Sequence, residues 1–342
     1  FYDPSKPTSY IRYVDVNSLY PTAMVNNLPL RDFRWEEPSL FTTEYILSLQ
    51  DIEFERGYRL TVDLHYPEHV QDFTVDLPFA FENISPEFSC LSKTNLDLIG
   101  NDLYIASSQK LIGTCRDKKE YTLDYRLLQY FLQKGMVLTK VHKVISYIQG
   151  HCFDDFINRE VANRATMTGS DRDLPKLLMN SVYGKTIEDK TKHNDSNIKN
   201  IETEYEQILK RKGNPMFQNS SFLNDDYEIL FMKKKKCVMD KPVYLGSTIL
   251  DLAKLTMYRM FYDNFKTLYG DKVTLIATDT DSLFLHIETE DFTHDLLNNP
   301  SLRECFDFSK FPKDHPLYDK TNDSKLGKVK DELEGGEMIE FI

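Results

Sequence analysis

The chain has 342 residues, of which 41% are hydrophobic and 28% are charged, a composition typical of a globular protein with a core large enough for two or three domains. It contains no apolar run of about 20 residues and no recognisable signal peptide, so we expect no membrane partner. The five cysteines are scattered and form no C-x-x-C pair, which argues against a zinc site or a disulfide framework. This usage predicts an intracellular location, without distinguishing nucleus, cytoplasm, mitochondrion and viral replication site.

The net charge of −12 is unfavourable for contact with nucleic-acid phosphates, which are bound by Lys and Arg. The charge is unevenly distributed, however. Residues 26–100 contain 14 Asp and Glu against 5 Lys and Arg, a net of −9, so the rest of the chain carries only −3. We therefore expect the acidic segment to lie away from any phosphate that the protein binds.

The first predicted element is a strand from Tyr10 to Val16. Asp15 lies where this apolar run gives way to a turn with the sequence Asn-Ser-Leu-Tyr-Pro. Between residues 26 and about 140, the pattern predicts short mixed strands, such as Tyr58 to Leu64, that are separated by turns.

Two helices are predicted next, from Gly150 to Thr168 and from about Leu174 to Tyr183, with a turn at residues 169–171 between them. Proline is tolerated in the first turn of a helix but not in its interior. We therefore expect the second helix to start close to Pro175.

Residues 187 to about 240 are polar and rich in turns. They include the run Lys233 to Lys236, which is either a solvated face or a phosphate contact. A long amphipathic helix is predicted from Tyr244 to Tyr269, ended by Gly270. Its apolar residues at helical spacing are predicted to lie in the core: Ile249, Leu252, Ala253, Met257, Met260, Phe261 and Leu268.

The β-branched and apolar runs Val273 to Ile276 and Phe284 to Ile287 predict two strands joined by a tight turn, with Asp279 and Asp281 at the tip. Side chains alternate along a strand, so these two carboxylates are expected to point the same way. Each would raise the pKa of the other unless a cation lay between them. Oxygen ligands of this kind suit Mg²⁺, while a solvated hairpin turn is the alternative.

Three segments carry a resemblance to a known family. The pattern D-x-x-S-L-Y-P begins at Asp15, K-x-x-x-N-S-x-Y-G begins at Lys176, and D-T-D-S begins at Asp279. In this order they resemble motifs A, B and C of family B DNA polymerases. The long segment between motifs A and B, with a Y-P…D…D-x-P pattern at residues 66–78, is similar to protein-primed organellar or viral members of the Maverick/Polinton type. The sequence L-G-K-V-K-D-E at residues 326–332 resembles a palm segment of the same group.

The resemblance implies an α+β fold in which a palm, formed by an antiparallel sheet backed by helices, carries helical fingers and inserted subdomains. It assigns the chain to five parts: residues 1–25 to the palm with motif A, 26–149 to an insertion and palm connection, 150–186 to the fingers with motif B, 187–240 to a second insertion, and 241–342 to the palm with motif C. The exonuclease domain and the thumb of the family are expected to be absent from the chain.

The resemblance also implies a two-metal site. Asp15 and Asp281, with the backbone of Val16, are expected to bind two Mg²⁺ ions, with Mn²⁺ as an alternative. Asp279 is the third expected catalytic carboxylate and would tune the site. The incoming nucleotide is expected to contact Ser18, Leu19, Tyr20, Arg164, Arg172, Lys176, Asn180 and Tyr183.

The resemblance implies a specific role for several of these residues. Backbone N–H groups from Val16 to Leu19 are expected to cradle the triphosphate, and Lys176 to place its ammonium on the phosphates with two arginines as helpers. The Tyr20 ring would exclude a 2′-hydroxyl; a core tyrosine is the alternative. Residues expected to contact primer–template DNA are Gly184, Lys185, Thr280, Lys328 and Lys330. A surface role is an equal alternative for the last two.

The function implied is DNA-templated nucleotidyl transfer from dNTPs to a primer 3′-hydroxyl, in protein-primed replication of a linear viral or mobile-element genome. Primer–template DNA and dNTPs are the expected partners, with a terminal priming protein as an optional one. One alternative is a catalytically silent or regulatory remnant that binds nucleic acid. Another is a two-metal nuclease, which would not require Tyr20 or residues 176–184. The intact motif carboxylates and Lys176 favour the polymerase.

Overall fold

The computed structural model describes residues 7–85, 91–99, 109–338 and 340. Contacts divide the described chain into a large unit, drawn from Phe1–Asn180 and Thr248–Ile342, and a small unit, Ser181–Ser247. The small unit is wider than the predicted second insertion, 187–240, and contains it.

Strands and helices are interspersed along the described residues. The strands are β1 Ser9–Val16, β2 Leu28–Glu36, β3 Arg56–His65, β4 Glu82–Ile84, β5 Lys110–Ile112, β6 Lys118–Asp124, β7 Val137–Gly150, β8 Asn194–Asn200, β9 Phe217–Phe222, β10 Tyr227–Lys233, β11 Val273–Asp279, β12 Ser282–Glu288, β13 Phe306–Asp307 and β14 Val329–Asp331. The α-helices are α1 Leu19–Met24, α2 Thr43–Ser48, α3 Glu68–Phe73, α4 Lys93–Ile99, α5 Tyr125–Gln133, α6 Asp154–Thr166, α7 Asp173–Thr186, α8 Tyr205–Lys212, α9 Val243–Tyr258, α10 Thr267–Tyr269, α11 Phe292–Asn298 and α12 Pro300–Cys305. The predicted α+β class is confirmed.

The sheet that contains β1, called the β1 sheet below, has the strand order β11-β12-β1-β14-β13. Its pairs are antiparallel except for β13 with β14, which is parallel. Buried and partly exposed residues alternate along β1, with Val14 and Val16 in the core, because side chains of a strand point to opposite faces in turn. Tyr13 stacks on Phe284 of β12 with 4.1 Å between ring centroids, which pins the register of the central pair.

A second sheet, with the order β2-β7-β3-β6, is formed by the acidic segment and the residues that follow it. An aromatic cluster packs beside it, in which the ring of Phe79 lies 4.9 Å from Phe131 and 5.1 Å from Tyr258. The hydroxyl groups of Tyr258 and Tyr262 donate to the carbonyls of Pro78 and Leu77, so the buried phenols are satisfied. This cluster attaches the C-terminal end of α9 and the residues that follow it to the second sheet.

That long helix departs from its prediction at one end. It runs as α9, a π-helical stretch from Arg259 to Lys266, and α10, and it ends where Gly270 has φ 57°. Six of the seven predicted core residues are buried, but Leu268 is 39% exposed. A π-helical turn takes more residues per turn than an α-helix, so a helical period counted from residue 249 fails beyond it.

The two helices around motif B are shifted from their predicted bounds. Gly150 belongs to β7, and α6 begins at Asp154, where two acidic residues in the first turn favour the helix N-terminus. Helix α7 extends to Thr186 and holds Pro175 in its first turn, as predicted.

The small unit contains the sheet β8-β10-β9 and helix α8. Leu230 and Met232 of β10 are buried, as is Ile208 of α8. Glu228 is buried on the same strand and lies 2.7 Å from Lys212 Nζ, which compensates its charge.

Two predictions from composition can be compared with the structure. Within the described ranges, no helix is both long and apolar enough to cross a membrane. Cys115, Cys152, Cys237 and Cys305 are free thiols, whereas Cys90 lies outside the described residues.

Candidate active site

The strand register brings Asp15 between two residues that are distant in sequence. It lies opposite Ser282 of β12 on one side and Lys330 of β14 on the other. Directly opposed residues of antiparallel strands project from the same face, so the three side chains form a row across the β1 sheet. Lys330 Nζ is 3.2 Å from Asp15 Oδ1 and also pairs with Glu332. Lys330 was predicted to contact DNA, but the structure places it against the carboxylate of motif A.

The hairpin tip has a different geometry from the predicted one. Strand β11 ends at Asp279, β12 begins at Ser282, and the turn residue Thr280 has φ 55°. The period-two argument for the two aspartates is therefore wrong, because the turn interrupts the alternation of faces. Asp279 is exposed, whereas Asp281 is partly buried. The N–H of Val16 donates to the Asp281 carbonyl at 2.7 Å, which ties the tip to β1.

The electrostatics of the two partly buried carboxylates favour a bound cation. Burial raises the pKa of Asp15 to about 6, with Lys330 acting against the rise and Asp281 adding to it. Burial also raises the pKa of Asp281, and the charges of Lys176 and Lys330 act against this rise. The ionised forms are thus under-compensated by the protein alone, and a divalent cation would relieve both. Lys176 of motif B lies close enough to motif C to influence it.

The donor set can be tested against a magnesium site. In the part of the chain that the structure describes, no group of three or more His, Cys, Asp and Glu side chains could hold a metal. Two carboxylates are nevertheless compatible with Mg²⁺, because this ion usually keeps several waters and takes one or two carboxylates plus substrate phosphates. The backbone carbonyl of Val16, the residue after Asp15, is a further oxygen at this end of β1. The residues fit a site that is completed by the substrate.

Two arginines near motif B share a partly buried space. Burial and the neighbouring Arg172 guanidinium lower the pKa of Arg164. Among the described residues, neither Arg164 Nε nor Arg172 Nε has a hydrogen-bond partner, although both atoms are buried. Like charges that approach each other with unused donors are typical of an anion site. The structure thus brings together the two arginines predicted to assist Lys176.

The predicted triphosphate cradle is smaller than expected. The N–H of Val16 donates to the Asp281 carbonyl, and that of Asn17 donates to the Lys328 carbonyl at 2.8 Å. These two amides are therefore occupied by the fold. Asn17 is also held through its carbonyl, which accepts from the N–H of Gly327 at 3.0 Å; the φ of 73° at Gly327 suits glycine. Ser18 and Leu19 lie at the start of α1.

Tyr20 is partly buried in α1, on the wall of a mainly apolar cavity of about 290 Å³. The same cavity is lined by Ala253 and Met257 of α9 and by Thr278 and Thr280 of the motif C hairpin. The ring therefore lies beside the hairpin that carries Asp281. This placement is compatible with the sugar-discrimination role and with partial burial in the core.

The other predicted contacts are dispersed. On α7, Lys176 and Asn180 are exposed and Tyr183 is buried. Lys185 donates to Glu188, Thr280 donates to Asp279, and Lys328 donates to the Glu304 carbonyl. A Cβ built at Gly184 would meet no described atom within 4 Å, so packing does not require glycine there.

A strongly basic concavity lies in the small unit. It has a volume of about 820 Å³ and is called the basic cavity below; its cations are Lys210, Arg211, Lys233, Lys234, Lys235 and Lys236. The small unit carries twelve Lys and Arg against ten Asp and Glu, a net of +2. Since the whole chain carries −12, the remaining residues carry −14.

Ion pairs are unevenly distributed within the small unit. Five of its ten acidic side chains pair with lysines outside the basic cavity: Lys185, Lys190, Lys192, Lys199, Lys212 and Lys241. Within this unit, none of the six cavity cations lies within 4.0 Å of a carboxylate oxygen. Asp195 also lines the cavity, so six cations face one carboxylate of the unit and the cavity keeps an excess of positive charge.

The sequence did not predict that Lys330 pairs with Asp15. It also did not predict a role for Asp307, a buried carboxylate that accepts a hydrogen bond from Asn17. The alternation of Lys330 with Val329 and Asp331 was a usable signal for the first, since it predicts a strand with Lys330 on one face. For Asp307, the sequence Asp-Phe-Ser is compatible with a local Asx turn only.

Comparison with known proteins gives similarity in fold. No family model matches the chain, and no curated protein matches it. An orthorhombic crystal form of phi29 DNA polymerase is 16% identical with a TM-score of 0.49, over 96% of this chain and 43% of that one. Its binary complex with primer–template DNA is 15% identical with a TM-score of 0.49, over 96% and 42%. Its ternary complex with primer–template DNA and incoming nucleotides is 16% identical with a TM-score of 0.45, over 90% and 42%. The chain spans less than half the length of these polymerase chains.

Proposed function

We propose that the chain is the palm and fingers region of a DNA-templated DNA polymerase of family B, of the protein-primed type. The observation that carries the proposal is the convergence of distant segments at one end of the β1 sheet. Asp15 lies beside the Asp281 turn, with Lys330 in contact and Lys176 within electrostatic reach. These residues come from motifs A, B and C and from the segment at 326–332.

In this proposal the β1 sheet is the palm, α6 and α7 are the fingers, and the second sheet and the small unit are insertions. Asp15 and Asp281, with the Val16 carbonyl, would hold two Mg²⁺ ions, or Mn²⁺, and Asp279 would tune the site. When bound, the ions supply stabilisation of the attacking and leaving oxygens in nucleotidyl transfer. The Val16–Asp281 backbone bond fixes the spacing of the two carboxylates, and Lys330 holds Asp15 in position.

The groups for the nucleotide come from separate elements. Lys176, Arg164 and Arg172 would bind the triphosphate, since they offer an ammonium and two guanidiniums with unused donors. Tyr20 would contact the sugar from its place beside the motif C hairpin. Asn180 follows one turn after Lys176 on α7 and would contact the same nucleotide, and Tyr183 is assigned to the nucleotide by the resemblance alone.

The basic cavity would bind the phosphates of the nucleic-acid backbone. Six cations without carboxylate partners in their own unit are suited to a polyanion, whose repeated charges match a broad surface. A terminal protein as primer, and a linear viral or mobile-element genome as template, are proposed from the resemblance of the segment between motifs A and B.

A primer-extension assay on the full-length protein, with Mg²⁺ and with a chelator, tests the proposal. We expect template-dependent addition of dNTPs that requires the metal and is lost in Asp281→Asn, while Asp279→Asn, at the exposed end of the hairpin, lowers the rate by a smaller factor because Asp279 would only tune the site. Shortening of the primer in place of extension would support the nuclease. DNA binding without extension would support the silent remnant.

A further inference from the structure

Asp307, at the end of β13, is a buried carboxylate that lies outside the three motifs. Its Oδ2 atom accepts hydrogen bonds from Nδ2 of Asn17 at 2.9 Å and from the N–H of Ser324 at 2.8 Å. Its Oδ1 atom accepts from the N–H of Ser309 at 3.0 Å. Although burial opposes the effect, these donors hold the pKa of Asp307 below its ordinary value. The side chain is therefore an anion at neutral pH.

All three partners of Asp307 are donors, which makes the carboxylate difficult to replace. An amide at position 307 has one acceptor oxygen and one NH₂ group. In one orientation its NH₂ faces the donors of Asn17 and Ser324; in the other it faces the N–H of Ser309. A donor would face a donor inside a buried site in both cases, so at least one connection would be released.

Two of these connections lead to the proposed nucleotide site. Asn17 lies directly between the Asp15–Val16 segment and the Ser18–Tyr20 segment of motif A. Ser324 accepts a hydrogen bond at Oγ from Nη2 of Arg172 at 3.3 Å. A path of hydrogen bonds therefore runs from Arg172 through Ser324 and Asp307 to Asn17. It joins the arginine pair near motif B to the loop of motif A.

We infer that Asp307 is a positioning residue for the incoming nucleotide: it holds the motif A loop and the Arg172 guanidinium in register without touching the substrate. This inference rests on the proposed function, since it concerns the same site. A role of this kind acts on nucleotide affinity more than on the chemical step, because Asp15 is held by the strand register and Asp281 by the hydrogen bond from the Val16 N–H to its carbonyl.

The test compares Asp307→Asn with the unsubstituted full-length protein in two measurements. The first is steady-state addition of one nucleotide; the second is equilibrium binding of the correct dNTP to a complex with a dideoxy-terminated primer, which prevents chemistry. We expect KM and the dissociation constant for dNTP to rise on the order of tenfold, with kcat changing by less than about twofold. Asp319→Asn is the matched control. Asp319 lies in the segment between β13 and β14 and accepts hydrogen bonds from Thr321, and its hydrogen bonds within the described residues do not reach Asn17 or Ser324.

A second variant separates positioning from simple stabilisation. Ser324→Ala removes a hydroxyl that accepts from Arg172 and donates to Asp323 at 2.8 Å. If the contact with Arg172 carries the effect, the substitution should raise KM about threefold in the parent chain and have no further effect in an Arg172→Ala background. A structural role predicts a lower unfolding temperature with unchanged KM and additive effects. Unchanged KM in folded Asp307→Asn, or in Ser324→Ala if the first variant does not fold, overturns the inference. Failure of the parent protein to add any dNTP overturns the proposed function instead, and the dideoxy-terminated complex then shows separately whether dNTP binds.

Discussion

The candidate active site and the basic cavity both carry excess charge, but of opposite sign and in different arrangements. At one end of the β1 sheet, Asp15 is held by strand register and Asp281 by a backbone hydrogen bond from Val16, and burial raises the pKa of both carboxylates. In the basic cavity, six cations line about 820 Å³ and can each be solvated. Chemistry at a metal needs few groups at fixed distances, whereas binding of a polyanion needs many groups with tolerance in position. We therefore expect single substitutions to have large effects in the first region and small, salt-dependent effects in the second.

The largest expected effect is in the β1 sheet. Asp15→Asn or Asp281→Asn should lower the rate of nucleotide addition by at least about 10³-fold, or roughly 4 kcal/mol, because each removes a ligand of the proposed two-metal site. Neither substitution should lower the stability of the fold. A carboxyl whose folded pKa is raised costs stability in its ionised form, so the neutral amide should unfold at an equal or higher temperature. Single-turnover rates and thermal unfolding check both parts, and near-parent extension by either variant would end the two-metal assignment.

The second largest effect is expected at Tyr20, which also belongs to the candidate active site. Tyr20→Val should raise incorporation of rNTP relative to dNTP by at least about tenfold, or about 1.4 kcal/mol, because a smaller side chain leaves room for the 2′-hydroxyl. Tyr13→Val is a matched control, since Tyr13 lies on β1, stacks on Phe284 of β12 and should affect stability alone. Selectivity that stays constant in a folded, active Tyr20→Val protein would favour the core role.

Lys176 should give an intermediate effect. Lys176→Ala removes a charge-assisted interaction with phosphate and should raise KM on the order of tenfold for every dNTP by a similar factor, since the triphosphate is common to all four. Steady-state kinetics with each nucleotide on matched templates measure this. A defect confined to one base would point to a templating role.

The smallest expected effect per residue is in the basic cavity. A Lys234→Ala/Lys235→Ala variant should reduce the slope of log K against log salt for single-stranded DNA by about 1.4, or about 0.7 for each phosphate that is no longer neutralised. The rate of nucleotide addition at saturating DNA should not change. A Lys190→Ala/Lys192→Ala variant removes the same charge from lysines that already have carboxylate partners and should leave the slope nearly constant. Equal slopes for both variants would assign the cavity lysines to a solvated face.

The parts of the fold that were predictable are those set by local pattern. The alternation in Tyr10 to Val16 predicted β1, and the paired apolar runs around Asp279 and Asp281 predicted the hairpin of β11 and β12. Helix α7 could be placed because proline is restricted to a first turn. The local pattern could not show that Thr280 would adopt a positive φ and separate the faces of the two aspartates.

The parts that could not be predicted depend on register between distant strands. Whether Lys330 lies against Asp15 is decided by which residue of β14 pairs with β1, and a shift by one residue would send it to the other face. Asp307 reaches Asn17 only because β13 joins the same sheet through β14. Similarly, Lys210 and Arg211 line the same cavity as Lys233 to Lys236 because α8 packs against β10. The sequence spacing of these residues does not predict this contact.

The pairing of β1 with late strands also has a consequence for biosynthesis. Asp15 lies opposite Ser282, so roughly 270 residues must be synthesised after it before its first partner strand emerges. At translation rates of about 5 to 20 residues per second, this is a delay of about 15 to 50 s. The strands of the small unit, in contrast, lie within residues 194–233 and can pair soon after they are made. Strand β1 therefore has neither partner strand of the β1 sheet while most of the chain is being synthesised. The proposed catalytic centre, which needs β1, β12 and β14 together, is assembled late.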